Sequence, residues 1–469
     1  MDLETMKRVI KRHVAGHGEF IVKASVAERY YRNENDILVS KPKTENDDAE
    51  NPLRNADNRI PRNFHGLLVN QKAAYMFTSP PLFDIGNQDA NKKITDILGD
   101  RYAKAAKDLC VNASNCSVAW LHYWVDKDGQ LTYGVVDSKQ IRPIWTSDLN
   151  KKLSGVLRIY EELDDVDGEM YVIYQYWTNS ECQAYRKKTS DTIDEGLQSY
   201  AMFNTFVDNT ATMVDNFTHD YGGVPFIPFF NNNITTGDLV NIKKLIDVYD
   251  KVFSGFVNDL EDIQEIIFVL SGYGGTSLAE FLQDLKKYKT VNLDEDEGKP
   301  GLSTLTIDIP VEAREKLLEI TRKAIFEQGQ GVDPQPQEFG NASGVALKYL
   351  YSLLELKAGL METEFKLAFG EFVRVICKHL KVECKSIIQT WTRTAITNDT
   401  ELSTIASQSK GVTSNKTILK NHPWVEDADQ EEKQIQKEQK EAEENADPYK
   451  DAFPSNNGSD KDVIDDAKK

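Results

Sequence analysis

Apolar positions along this chain change period several times, and each change predicts a new kind of element. Residues 1–32 carry apolar side chains at helical spacing with one interruption, predicting helix, turn and helix ending at Tyr30-Tyr31. Residues 41–58 (KPKTENDDAENPLRNADN) are polar and rich in Pro and Asn, the composition of a surface loop. In Arg59–Phe77, Phe64, Leu67, Leu68, Lys72, Tyr75 and Met76 return to helical spacing, and Thr78-Ser79-Pro80-Pro81 ends the run because proline cannot continue a helix. Asn87–Cys110 predicts a further helix. The period then falls to two over Ser117–Trp124, Gln130–Val136, Leu157–Glu162 and Glu169–Trp177, which are rich in Val, Tyr, Trp and Ile. Asp126–Gly129, Asp164–Gly168 and Asn179-Ser180 punctuate them, as expected of antiparallel hairpins. Strands and loops continue over Tyr200–Phe230.

Helical spacing resumes after Thr236, with Asp238 placed to cap a helix Leu239–Asp262. An apolar, Gly-terminated run (Ile263–Gly275), a short helix (Thr276–Lys289) and two strands (Val291–Leu293, Leu302–Ile309) around Asp294–Gly301 form a mixed insertion. Pro310 opens the next helix, Val311–Gln328. Gly329–Gly344, reading GQGVDPQPQEFGNASG, separates it from a long helical pattern, Val345–Leu380, which at ~1.5 Å per residue would span roughly 54 Å. A loop this long is uncommon unless it is functional or disordered, and an ordinary surface loop remains the alternative. Its glycines, 329, 331, 340 and 344, would let the chain enter the second helix at a new angle. Shorter helical pieces follow Cys384. Residues 428–444 read as a solvated helix, and the rest of the acidic stretch 426–469 as disordered. The fold class is α+β.

Composition narrows the function. Of 469 residues 40% are hydrophobic, enough for real cores, yet 75 acidic residues against 56 basic leave a net charge of −19. A nucleic-acid binder that neutralises phosphates needs a basic face, and no Lys/Arg run supplies one. Five cysteines without a CxxC read as reduced, mostly buried thiols. The N-terminus MDLETMKRVIKRH has no apolar signal region, and no stretch approaches 18 apolar residues, so no membrane partner is expected. Gly272-Tyr273-Gly274-Gly275 lacks the Lys-Ser/Thr of a phosphate-binding loop and reads as a turn. His219-Asp220 has no third partner, and Asp262 with Glu265 reads as a solvated helix face. No catalytic constellation and no cofactor site emerges. Glu312/Lys316 and Glu319/Lys323 are i, i+4 pairs that fit either a water-exposed flank or a face lining a polar tunnel.

Five segments in fixed order carry a resemblance: residues 55–81 (NADNRIPRNFHGLLVNQKAAYMFTSPP), 223–232 (GVPFIPFFNN), 242–275 (IKKLIDVYDKVFSGFVNDLEDIQEIIFVLSGYGG), 344–358 (GVALKYLYSLLELKA) and 418–427 (ILKNHPWVED). In these the chain resembles the portal proteins of tailed double-stranded-DNA phages, of the siphovirus type. The resemblance implies a homo-oligomeric ring, a dodecamer, at one capsid vertex of the virion, assembled in the host bacterial cytoplasm. It implies a mixed α/β wing (1–237), stem helices (238–262 and 311–328), a small α/β clip (263–310), a tunnel loop (329–344), a long helix from channel to wing (345–385) and a helical crown (386–425). The tail 426–469 matches nothing in the family pattern. By the same resemblance, Gln330, Asp333, Gln335, Gln337 and Asn341 would face the DNA channel, and Lys316 and Lys323 would place charge in the stem lumen. Lys286, Lys287, Lys289, Asp294, Glu295 and Asp296 would be exposed at the clip for docking. Implied partners are the terminase large subunit, the head-completion or adaptor protein, the major capsid and scaffolding proteins, and the double-stranded DNA in transit.

Such a protein would not be an enzyme. Two other readings remain at this point. A packaging nuclease or ATPase requires a Walker motif or an acidic metal triad, neither of which is visible. A channel-free capsid adaptor or scaffold, from a defective prophage, is the second.

Overall fold

Two helices open the chain, α1 (Leu3–Val14) and α2 (Gly18–Tyr31). The Asp2 carboxylate caps α1 by accepting from the Thr5 N–H at 2.9 Å. Met6 and Ile10 of this helix are buried against Leu157, Tyr174 and Tyr185 of a sheet. In this computed structural model the described residues are 2–39, 56–207, 210–262, 267–271, 301–305, 310–334, 349, 351–393, 399–420, 422, 425 and 428–445. They divide into two units: Met1–Gln335 with Leu350–Ala395, and Pro336–Tyr349 with Ile396–Lys469.

The helix expected over Arg59–Phe77 begins only at Phe64. It is α3 (Phe64–Phe77), capped by the Asn63 side chain accepting from the Gly66 N–H at 3.0 Å. The residues before it are extended, for two reasons. Pro61 disfavours helical geometry at Ile60, and alternate backbone N–H groups find acceptors on a later helix, α6 (Lys243–Asp262). Arg62 donates to Asp250 Oδ1 at 2.9 Å, Ile60 to Ser254 Oγ at 3.0 Å and Asn58 to Asn258 Oδ1 at 2.6 Å. Every second residue of an extended chain thus meets every fourth residue of a helix, and the segment lies along α6 as a strap. Asp250, fully buried under it, also accepts from Asn35 Nδ2 at 2.6 Å. Burial pushes its carboxyl up to about 6, and these hydrogen bonds offset only part of the rise.

The single helix expected over Asn87–Cys110 is two, α4 (Gln88–Leu98) and α5 (Tyr102–Cys116). Gly99, at φ +59° and ψ −173°, breaks it in a conformation that side chains avoid.

Three antiparallel strands, Val118–Val125, Leu131–Val136 and Phe226–Phe230, form a sheet with Val118–Val125 in the middle. The central strand, VAWLHYWV, is apolar on both faces because both are covered. Trp120 and Val118 pack with Ile141, Val156, Trp177 and Cys182 of a second sheet. On the opposite face, Phe229 and Tyr133 meet aromatic rings of a long helix, α8 (Ser352–His379). The expected hairpin strands divide between the two sheets, Ser117–Trp124 and Gln130–Val136 falling in the first and Leu157–Glu162 and Glu169–Trp177 in the second, which has six strands in all. It runs Asn216–Thr218, Glu181–Lys188, Met170–Trp177, Leu153–Leu163, Ile141–Trp145, and Gln198–Ser199 pairs beside Glu181–Lys188. Leu82–Asp84 pairs with Ile388–Thr390, so the stretch after Cys384 opens with a strand rather than a helix.

Helix α7 (Val311–Gly329) packs beside α6. Ile325 and Phe326 from it join Ile242, Ile246, Phe64, Leu68 and Tyr30 in one core. Of the insertion between these helices, Ile267–Ser271 pairs antiparallel with Gly301–Leu305. The helix expected over Thr276–Lys289 and the strand Val291–Leu293 lie outside the described residues, as does most of Val345–Leu350. In the second unit, helices span Asp399–Gln408, Asn415–Lys420 and Ala428–Asn445. Among the described residues no helix is long and apolar enough to cross a membrane.

Candidate functional site

The end of α7 is where the long loop leaves the body of the chain. Gln330, not a glycine, turns it: at φ +53° and ψ +50° this residue is left-handed. The Gln330 N–H donates to Glu327 O at 3.2 Å and the Gly331 N–H to Phe326 O at 3.0 Å, the paired bonds that close a helix C-terminus. Gly331 serves close approach instead. A Cβ there would collide with Leu68 and stand 2.9 Å from Gln71 Oε1.

Three elements then hold the first residues of the loop. From α3, Gln71 grips both backbone groups of Val332: its Nε2 donates to Val332 O at 2.7 Å and its Oε1 accepts from the Val332 N–H at 3.1 Å. From α7, Arg322 forks onto Asp333 through Nε at 2.9 Å and a terminal nitrogen at 2.6 Å. From α8, Lys357 Nζ donates to Gly329 O at 2.9 Å.

Lys357 belongs to a buried ionic cluster. Asp238, expected to cap a helix, instead turns its side chain inward at the start of a short 3-10 turn, Asp238–Asn241. Its Oδ2 lies 2.6 Å from Lys72 Nζ and 3.0 Å from Lys357 Nζ, while Oδ1 accepts from Asn231 Nδ2 at 2.9 Å. Lys72 also donates to Asn231 Oδ1 at 2.8 Å. Burial opposes the charge on Asp238, but Lys357 and Lys72 outweigh it and hold the carboxyl well below the usual range. Burial lowers Lys357 in turn, with Asp238 opposing the shift. Nearby His65 Nε2 donates to Asn115 Oδ1 at 2.8 Å, and burial pushes the imidazole down to about 4, so it is neutral at physiological pH. The cluster floors a cavity of about 480 Å³.

Residues 10–445 match the family described as "Phage portal protein, SPP1 Gp6-like". This chain belongs to that family. The portal protein of Clostridium phage phiCD119 is 43% identical over 458 residues, covering 94% of this chain and 97% of its own. The portal protein of Bacillus phage SPP1 is 29% identical over 423 residues, covering 87% and 82%. A chain from the neck of a native GTA particle, computed with C12 symmetry, is similar at a TM-score of 0.44 and 11% identity, over 76% of this chain and 88% of its own. The protein is a phage portal protein, a structural part of the head–tail connector and a virion component at the capsid vertex. Its family forms homo-oligomeric rings that meet head and tail components.

In this portal chain the residues singled out from sequence fall into three groups. Gln330 and Asp333 stand at the root of the loop, the first lining the cavity and the second bonded to Arg322. Lys316 and Lys323 are exposed on α7, with side chains 66% and 77% accessible. Their partners differ from the expected ones: Lys316 meets Glu319 at 2.7 Å and Lys323 faces Glu327 at 3.9 Å. Gln335, Gln337 and Asn341 in the loop, and Lys286, Lys287, Lys289, Asp294, Glu295 and Asp296 at the expected clip, lie outside the described residues. The residues missed are those that hold the root, Gln71, Arg322 and Lys357, and the role of Lys72 and Asp238 in the buried cluster beside them. One signal was present, since Lys72 falls on the apolar stripe of α3. Among the described residues no group of three or more His, Cys, Asp or Glu is arranged to hold a metal.

Proposed function

We propose that this portal chain assembles as a dodecameric ring around a central channel, through which double-stranded DNA enters during packaging and leaves at ejection. Residues 329–344 are the tunnel loop, with Gln330, Asp333, Gln335, Gln337 and Asn341 toward the channel. Helices 238–262 and 311–328 are the stem, with Lys316 and Lys323 toward the lumen. Residues 263–310 are the clip, where Lys286, Lys287, Lys289, Asp294, Glu295 and Asp296 dock the terminase large subunit and later the head-completion protein. Residues 1–237 form the wing, 345–385 the helix from channel to wing and 386–425 the crown. Assembly takes place in the host cytoplasm, with the capsid and scaffolding proteins as neighbours. The chain is not an enzyme: ATP hydrolysis belongs to the motor protein.

One observation carries this reading, the anchored root. A loop that meets moving DNA must spring from a fixed point, and Gln71, Arg322 and Lys357 fix residues 329–333 from three helices. The test is deletion of residues 335–340, which leaves these anchors in place. The expected outcome is rings of normal appearance by negative-stain microscopy together with loss of DNA packaging in an assay reconstituted with the motor. Normal packaging by that variant would remove the tunnel-loop role.

A further inference from the structure

The cavity beside the loop root holds more positive than negative charge at its floor. Lys72 and Lys357 are 1% and 9% exposed, and they share a single carboxylate, Asp238. Each ammonium has three donors. Lys72 donates to Asn231 Oδ1 and Lys357 to Gly329 O, and both ammoniums lie within ion-pair distance of Asp238 Oδ2. Among the described residues two ammoniums against one carboxylate leave the buried cluster with positive charge in excess, and an unbalanced buried charge is costly. Glu327 at the mouth does not supply the missing carboxylate: its side chain is 59% exposed and faces Lys323.

The walls indicate what else enters. A water occupies about 30 Å³ of liquid, so about 480 Å³ is far larger than a single small anion needs. Asn232, Asn233, Asn241, Gln328 and Gln330 line it with amides, which donate and accept as a peptide backbone requires. At the rim, Ile234 and Leu360 are 69% and 55% exposed and offer apolar surface for a polypeptide to cover.

We propose that this cavity receives a carboxylate-bearing segment of a second copy of the chain, whose Asp or Glu completes the Lys72–Asp238–Lys357 cluster. The inference rests on the ring reading above. An excess of 75 acidic over 56 basic residues makes a neighbouring copy a ready source of carboxylates. The neighbour thereby bonds beside the anchor that holds Gly329, so ring closure and the fixing of the loop root become one event.

Rings assembled from mixed ¹⁵N-labelled and unlabelled chains, treated with a zero-length carbodiimide and digested, test this by mass spectrometry. Expected are heavy–light peptide pairs joining Lys72 or Lys357 to an Asp or Glu. Lys357→Met, with unchanged circular dichroism, is expected to raise the concentration needed for ring assembly roughly tenfold. Rings whose lysine cross-links are all within one chain, as to Asp238, overturn the inference while leaving the ring intact. So does a folded Lys357→Met variant that assembles like wild type. Protection of both lysines by inorganic phosphate at constant ionic strength, equal in dissociated chains and in rings, would assign the cavity to a free ion and overturn it too. If wild-type chains form no rings, the ring reading itself fails.

Discussion

At Asp238 one carboxylate is shared by two lysines, an imbalance that sets how each member responds to substitution. Asp238→Asn removes the carboxylate that, among the described residues, pairs with either ammonium, and is expected to cost about 3–5 kcal/mol, read from the urea midpoint. Lys72→Met keeps the stem volume and leaves Lys357 paired with Asp238 at 3.0 Å, so its cost is expected to be smaller. Asp250 has the opposite character. Its folded carboxyl titrates at about 6 against an ordinary 3.8, so the folded state binds the proton more tightly. Its contribution is favourable below about 3.8 and is lost as pH rises through about 6. Asp250→Asn is therefore expected to gain about 1–2 kcal/mol relative to wild type between pH 4 and pH 7. A constant difference across that range would refute the buried-carboxylate account. Of these residues only Lys72 had a visible oddity in sequence, a cation at an apolar position. Its partners come from segments far along the chain, so nothing in local spacing reveals them, and an Asp before a helix reads as a cap.

Local patterns carried the elements well where the chain answers to its neighbours in sequence. Two-residue alternation marked the hairpins, and Pro310 marked the start of α7. They failed where distant groups decide. Arg59–Asn63 has helical spacing but is not helical, because the Asn58, Ile60 and Arg62 N–H groups bond to side chains of α6. Gly99 alone splits α4 from α5, where apolar spacing ran on unbroken. The glycines flanking the loop root were read as the turning points, but the left-handed residue is Gln330. The strap makes its own prediction. Ser254→Ala removes the acceptor of the Ile60 N–H, and amide exchange at Ile60 is expected to accelerate by roughly tenfold, for a bond contributing about 1 kcal/mol. Exchange at Arg62, bonded to Asp250, should change less. Equal acceleration at both would mean the strap opens as a unit.

For the whole molecule, net charge −19 and membership of the portal family point the same way. Binding that neutralised many phosphates would be tight and steeply salt-dependent, and would hold DNA that has to move. Purified rings are therefore expected to bind duplex DNA no more tightly than ~10⁻⁶ M at physiological salt; nanomolar affinity in a filter assay would contradict a low-grip channel. Family and function were legible because five segments keep their order along the chain, which no single motif could have supplied. The end of α7 at Gly329, where the loop begins, was legible too, but the fastening there was not. That fastening has a mechanical consequence. A force applied to the chain at Asp333 would reach Gln71, Arg322 and Lys357 before it reaches the hydrogen-bond ladder of α7. The load would divide among three helices in parallel, so no single helix end would have to resist it by itself, and a pull at this point would not begin by unwinding α7.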